Sequence, residues 1–381
     1  MHAGEVRRTI GENPFSFLRI TRSEAEFADS ESPAPEKVYE RSRSNLQHFI
    51  DRGIFFTENE PSLYVYRLKD GDHVQTGVVG CCSLDEYESG LIKKHEKTRP
   101  DKVKDRTEHL LAVRAQTGLI LLTFRGTAEI RRLIEKAVQL EPIYDFECTG
   151  DVQHTFWRIE TTDDLVRAFA DVPSLYIADG HHRVESADLA RNELRDANPS
   201  HSGDEEYNYL LAGIFPAEDL RILAYNRYVT EMNGLSEDEF LARVAESFAV
   251  NRTAGSVPQT AGEISMYLGG LWYSLTLKAG QERANDAIDD LDVSILHDFI
   301  LRSILGIEDE RTDERIAFVG GRDSTQRLKQ MVDSGRARVA FSLYPTSMES
   351  LLTVSDRDEI MPPKSTWFDP KLKDGILIHL I

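Results

Sequence analysis

The sequence predicts an α+β fold, mixed sheets with flanking helices, on three observations. Strand-like and helix-like segments follow one another without the strict alternation that a doubly wound sheet needs. At 381 residues the chain exceeds one typical core, so two domains are expected. A soft boundary near residue 150 divides them into 1–150 and 151–381, with interleaved segments allowed. Within the second, an apolar strand runs directly into Asp179-Gly180 and then into a helix, which marks a site-bearing element.

The elements follow in order. The Ser/Pro/Glu stretch Asp29 to Lys37 reads as a loop, and a helix over Val38 to Asp51 follows, closed by Gly53. Ser62 to Leu68 alternates as a strand does, Asp70-Gly71-Asp72 turns the chain, and Gln75 to Leu84 returns. Pro100 and Asp101 open a helix that runs to about Gln116. A strand over Leu119 to Thr123 and a helix over Ala128 to Leu140 complete the first half.

In the second half, His154 to Ile159 is a strand, Asp163 to Ala170 a helix and Ser174 to Ala178 a buried strand. The helix His182 to Arg195 comes next, then a polar, mobile stretch over Asn198 to Glu206. Strands at Leu210 to Pro216 and Leu220 to Val229 precede a Ser236-capped helix. The tail carries a strand pair over Met266 to Leu277, a helix Val293 to Leu301, and strands at Ala317 to Val319, Val339 to Leu343 and Ile376 to Ile381.

Charge narrows the function. The net charge of −20 disfavours nucleic acid and anionic lipid as partners. One island reverses the sign: Lys93 to Arg106 holds seven Lys/Arg and three acids, which suits a small polyanion. No apolar run is long enough to span a bilayer. The first residues lack the apolar stretch of a signal peptide. Cys81, Cys82 and Cys148 leave an odd thiol, as in a reducing compartment. A cytoplasmic protein is expected.

The turn Ala178-Asp179-Gly180-His181-His182-Arg183 is the leading site candidate. Gly180 permits positive φ and close ligand approach, and the helix it opens offers a positive dipole end to an anion. His181, His182 and Arg183 are cations crowded at that end, which a bound anion would explain; Arg183 brings a planar fork that matches phosphate. A plain N-cap with satisfied histidines is the alternative.

The whole chain resembles an uncharacterised prokaryotic family, domain of unknown function one thousand and fifteen. Asn13 to Leu18, Ile92 to Arg99, Tyr176 to Arg183, Ser342 to Ser347 and Met361 to Phe368 carry that resemblance. The five residues Asp179 to Arg183 are also similar to the signature of the ParB/sulfiredoxin superfamily and its free-serine kinases. That resemblance implies a nucleotide-phosphate site at Asp179, Gly180, His181, His182 and Arg183. It also implies a Glu upstream as general base.

A second constellation follows His95. Arg99, Lys102 and Arg106 share one face of the helix that starts at Pro100, extended by His109, and form an anion cradle. Glu96, beside His95 on the preceding loop, is the candidate base that accepts the hydroxyl proton. A solvated charged helix is the other reading of this stretch. Lys364, Ser365 and Thr366, after two prolines, form a third phosphate-binding candidate. Mg²⁺ arriving with the nucleotide would need one carboxylate, Asp179. No Walker loop and no zinc spacing occur.

Together these predict a kinase that transfers phosphate from ATP or ADP to a hydroxyl-bearing metabolite, with free L-serine the acceptor the resemblance implies. Catalytic roles fall to Glu96, His95, Asp179 and His182. A non-catalytic nucleotide switch and a metal-dependent hydrolase built on His95, His181 and His182 are the rivals, and a homodimer is one assembly open to the chain.

Overall fold

The computed structural model describes residues 3–28, 30–148, 150–281 and 287–381. The chain divides into two compact units that interleave in sequence. Met1–Lys93, Thr98–Asp219 and Pro370–Ile381 form the first; Lys94–Lys97 and Leu220–Asp369 form the second. Residue 150 lies in the turn of an antiparallel strand pair, so the first unit runs on past it to Asp219.

The first unit opens with α1 (Ala3–Glu12), α2 (Leu18–Thr21) and α3 (Pro35–Asp51), the last with Pro35 in its first turn. β1 (Leu63–Asp70) and β2 (His73–Ser83) form a hairpin in which Asp70 faces His73. Then come α4 (Leu84–Glu88), β3 (Ile92–Lys93), α5 (Pro100–Val113), β4 (Ala115–Gln116), β5 (Ile120–Phe124) and α6 (Ala128–Ala137). β6 (Tyr144–Cys148), β7 (Val152–Ile159), α7 (Asp163–Ala170), β8 (Leu175–Asp179), α8 (His181–Ala197) and β9 (Tyr209–Pro216) follow.

Eight of these strands make one mixed sheet in the order β3-β8-β5-β9-β2-β1-β7-β6. β5 lies inside it, antiparallel to β8 and parallel to β9, and all five of its residues are buried. A strand covered on both faces reads as an unbroken apolar run, and Ile120-Leu121-Leu122 is one. Val184, Ala187 and Ala190 of α8 pack into the same core as Leu122 and Ile177. That packing fixes where the Asp179 turn sits.

Three expectations in this unit are corrected. α5 stops at Val113 rather than Gln116, because Arg114 adopts φ +57° and Ala115–Gln116 pair with His379–Leu380. The same pairing trims the last strand to two residues. The stretch after Asn198 is cross-braced rather than loose: Glu205 accepts backbone hydrogen bonds from Ser202 (2.7 Å) and Gly203 (3.0 Å), which hold its carboxyl down to about 2.

The second unit contains β10 (Ile222–Leu223), β11 (Tyr225–Val229), α9 (Glu237–Ser247), β12 (Phe248–Thr253), β13 (Glu263–Leu268) and β14 (Leu271–Leu277). Then come α10 (Asp292–Leu296), a π-helical turn over His297–Arg302, β15 (Ile316–Gly320), α11 (Ser324–Asp333), β16 (Val339–Leu343), α12 (Met348–Asp356) and β17 (Trp367–Phe368). Six strands form an antiparallel sheet, β12-β14-β13-β16-β11-β15. Leu328 of α11 packs on Tyr267, Val319 and Ala340. Ser236 and Glu239 close a reciprocal capping box at α9. The expected strand Leu220 to Val229 divides in two, since β10 pairs with β17 and β11 with β15 and β16. Among the described residues no helix is long and apolar enough to cross a membrane.

Candidate functional site

β8 delivers Asp179 to the rim of the first unit's sheet. Its pairing with β5 slips by one residue there: Leu121 faces Asp179 while Leu122 faces Ile177. Such a bulge re-aims the side chains beside it. Gly180 then turns the chain with φ +110°, a conformation that favours glycine. Its carbonyl accepts from the backbone N–H groups of Arg183 (2.7 Å) and Val184 (3.1 Å), which starts the 17-residue α8. The positive end of that helix dipole lies at the turn.

Residues from the chain's C-terminal return complete the cluster. Lys371 Nζ stands 3.1 Å from Asp179 Oδ2. Arg183 has Asp374 at 3.7 Å and Asp179 at 3.9 Å, both beyond hydrogen-bond reach. The Arg183 guanidinium donates no hydrogen bond among the described residues, although its side chain is only 28 % exposed. Leu119, Leu121, Asp179, Arg183, Lys371 and Asp374 surround a cavity of about 190 Å³. Gly118 allows the close approach beneath it: a Cβ there would meet Asp374 Oδ1 at 2.5 Å and Arg183 Nη1 at 3.0 Å.

Charge is crowded here. Loss of solvent and then the like charge of Arg183 pull Arg106 below its ordinary pKa. Asp374 is raised by loss of solvent, a shift that Arg183 and Arg106 oppose and Asp179 reinforces. Arg106, Arg183, Lys371 and Lys373 thus outnumber Asp179 and Asp374, and the cluster keeps a positive balance in an acidic protein. An anion is the ligand such a cluster stabilises.

Gly180→Ala gives a direct check. The side chain would take up a strained backbone and place its Cβ 3.1 Å from Arg183 Nε. Stability should fall by about 1–3 kcal/mol, read as the urea midpoint, with phosphate affinity falling alongside.

The other residues at this turn have defined roles. His181 is buried in the first turn of α8. His182 Nε2 accepts from the Arg99 backbone N–H at 3.0 Å, and Thr98 hydrogen-bonds Glu185, so the segment before α5 is tied to α8. The Arg99 side chain turns to Asp101 (3.0 Å) and holds that carboxyl below its usual range. Lys102 is exposed on α5. Of the three expected cradle cations, Arg106 interacts electrostatically with Arg183 and Asp179. His109 faces the Ile20 carbonyl at 3.2 Å and the Tyr39 ring, a structural setting.

Glu96 and Lys364, far apart in sequence, meet in the second unit, with Glu96 Oε1 3.7 Å from Lys364 Nζ. The His95 carbonyl accepts from the Met361 backbone N–H at 2.8 Å, and the His95 side chain is buried. Ser365 Oγ donates to the Pro362 carbonyl at 2.6 Å and its own carbonyl accepts from Thr346, so its hydroxyl shapes the loop that precedes Thr366. Among the described residues no three His, Cys, Asp or Glu side chains converge as metal ligands. Nucleotide-borne Mg²⁺ needs fewer protein carboxylates, and Asp179 and Asp374 stand at the anion cluster.

Lys371, Asp374 and Gly118 do not figure in the sequence reading. The alternation Lys371-Leu372-Lys373-Asp374 is the signal that could have found the first two, a second local excess of cations in an acidic chain.

The family described as protein of unknown function DUF1015 matches residues 1–294, and the chain belongs to that family. No curated protein matches it. Among solved structures, a conserved hypothetical protein from Pyrococcus furiosus is 13% identical with a TM-score of 0.41, over 79% of this chain and 95% of that one. A free serine kinase in complex with AMP is 12% identical with a TM-score of 0.41, over 85% and 96%. SbnI with a C-terminal truncation, from Staphylococcus aureus, is 12% identical with a TM-score of 0.41, over 79% and 87%.

Proposed function

We propose that this member of the DUF1015 family binds ATP or ADP by its phosphates at the Asp179–Arg183 turn and transfers a phosphoryl group to the hydroxyl of a small metabolite. Free L-serine is the acceptor suggested by the resemblance at Asp179 to Arg183. One observation supports the reading: Arg183 is largely enclosed at a helix N-terminus, yet among the described residues its guanidinium donates no hydrogen bond to a protein acceptor. A phosphate takes two of those donors in parallel. The cavity beside it, about 190 Å³, is smaller than the ~300–1,000 Å³ of pockets that enclose a whole drug-sized ligand. It suits phosphate groups, with the rest of the nucleotide outside.

In the reaction, the bond between the transferred phosphorus and its bridging oxygen breaks, and a bond from that phosphorus to the acceptor oxygen forms. The hydroxyl proton goes to a base, for which Glu96 is our assignment; Asp179 is the next carboxylate to test. Arg183, Arg106 and Lys371 neutralise the phosphate oxygens, and Lys364, Ser365 and Thr366 are our second phosphate-binding set. His181 and His182 set the turn, with Mg²⁺ carried in by the nucleotide. Cys81 and Cys82 are free thiols, which suits a cytoplasmic kinase.

ADP or ATP at about 100 Kd with Mg²⁺ should stabilise the protein by roughly 2.7 kcal/mol; no shift with any nucleotide at millimolar concentration sinks the proposal. Arg183→Ala should weaken ADP binding by about 10–100-fold, the loss of a charge-assisted contact, with the unfolding midpoint little changed. Calorimetric titration checks it. A variant whose unfolding midpoint falls while its ADP affinity is unchanged would make Arg183 structural.

A further inference from the structure

The second unit holds a larger cavity of about 460 Å³, within the range of small-molecule pockets. Its wall is acidic, but most of that charge is already engaged: Asp298 pairs with Arg302, Asp309 with Arg311 and Glu310 with Arg227. Asp289 and Glu308 also line it and have no ion-pair partner among the described residues.

A second observation comes from the helix on one side. Ser294, His297 and Asp298 lie at i, i+3 and i+4, one face, and all three line the cavity. Ser294 is 5 % exposed, and its Oγ has no hydrogen-bond partner among the described residues. A buried hydroxyl left so costs about 1–3 kcal/mol, and a ligand N–H would satisfy it. Directly after it, at His297, the helix widens into π geometry, which is rare and frequent at functional sites. Ile360 and Met361 add apolar surface to the wall.

We infer that this cavity binds an organic cation, an ammonium-bearing small molecule with a short apolar body. The ammonium lies between Asp289 and Glu308 and donates to Ser294 Oγ, and the body rests on Ile360 and Met361. A bare metal ion fits poorly, since no three ligating side chains converge among the described residues. The Asp179–Arg183 turn belongs to the first unit and this cavity to the second, where Glu96, assigned above as the base, is also part of the wall.

The test is calorimetric titration of the full chain at low salt with butylamine, phenethylamine and spermidine, with 2-phenylethanol as the neutral counterpart. At least one amine should bind saturably, about tenfold or more tighter than the alcohol. An Asp289→Asn, Glu308→Gln double variant should lose about tenfold, and Ser294→Ala should weaken binding in the same direction while still folding. Binding should survive Arg183→Ala unchanged. No saturation with any of the three amines at about 10 mM, or equal binding by the double variant and the wild type, overturns the inference. ADP titrated in parallel separates the two proposals, because loss of ADP binding with amine binding retained counts against the phosphate site alone.

Discussion

Replacing Glu96 by Gln should lower turnover by about 10²–10⁴-fold with little change in nucleotide affinity. The amide keeps the shape of the carboxylate and an oxygen facing Lys364, 3.7 Å away, but cannot take a proton. Single-turnover measurement with saturating nucleotide isolates that step, and direct titration reports affinity. If affinity and turnover fall together, Glu96 is a ligand contact or a partner that positions Lys364. If turnover does not move, the base lies elsewhere, and Asp179→Asn becomes the variant to compare.

Local signals explain what the sequence disclosed. The turn at Asp179-Gly180 was legible because an apolar strand, a glycine and the run His181-His182-Arg183 are all nearest-neighbour information, and Gly180 does take the positive φ expected of it. The mixed sheets also followed from the pattern of strands and helices. Partners supplied by distant segments were not legible. Lys371 and Asp374 reach Asp179 and Arg183 only because the chain returns from the second unit to the first at Pro370. Side-chain spacing on α5 suggested one basic stripe, yet Arg99 turned to its neighbour Asp101, a contact that helical periodicity does not reveal. Boundaries failed for the same reason: Arg114 leaves the helix because Ala115–Gln116 have a strand partner at His379–Leu380.

Glu310→Ala should destabilise the protein by about 3–5 kcal/mol, the cost of leaving a buried charge without its partner. Arg227 is fully buried and donates to Glu310 Oε2 at 2.9 Å, and His297 Nδ1 lies 3.1 Å from the other carboxylate oxygen. Burial alone would raise the Glu310 pKa, but Arg227 and His297 more than offset it and the net shift is downward. A lowered folded-state pKa contributes stability above the unfolded value of about 4.3 and loses it as pH falls through the folded one. The wild type should therefore lose this contribution below about pH 4, while the variant lacks it at every pH; urea midpoints across pH 3 to 7 read the difference. A pair of substitutions that replaces both Arg227 and Glu310 by apolar residues should cost less than Glu310→Ala, since no lone charge remains. The same variant tests positioning. Arg227 Nη2 donates to the Pro363 carbonyl at 3.0 Å, one residue before Lys364, so an Arg227 released from Glu310 should loosen the loop that brings Lys364 to Glu96. Turnover that falls further than the folded fraction does would show that the pair aligns this loop, whereas a fall that tracks the folded fraction would confine it to stability.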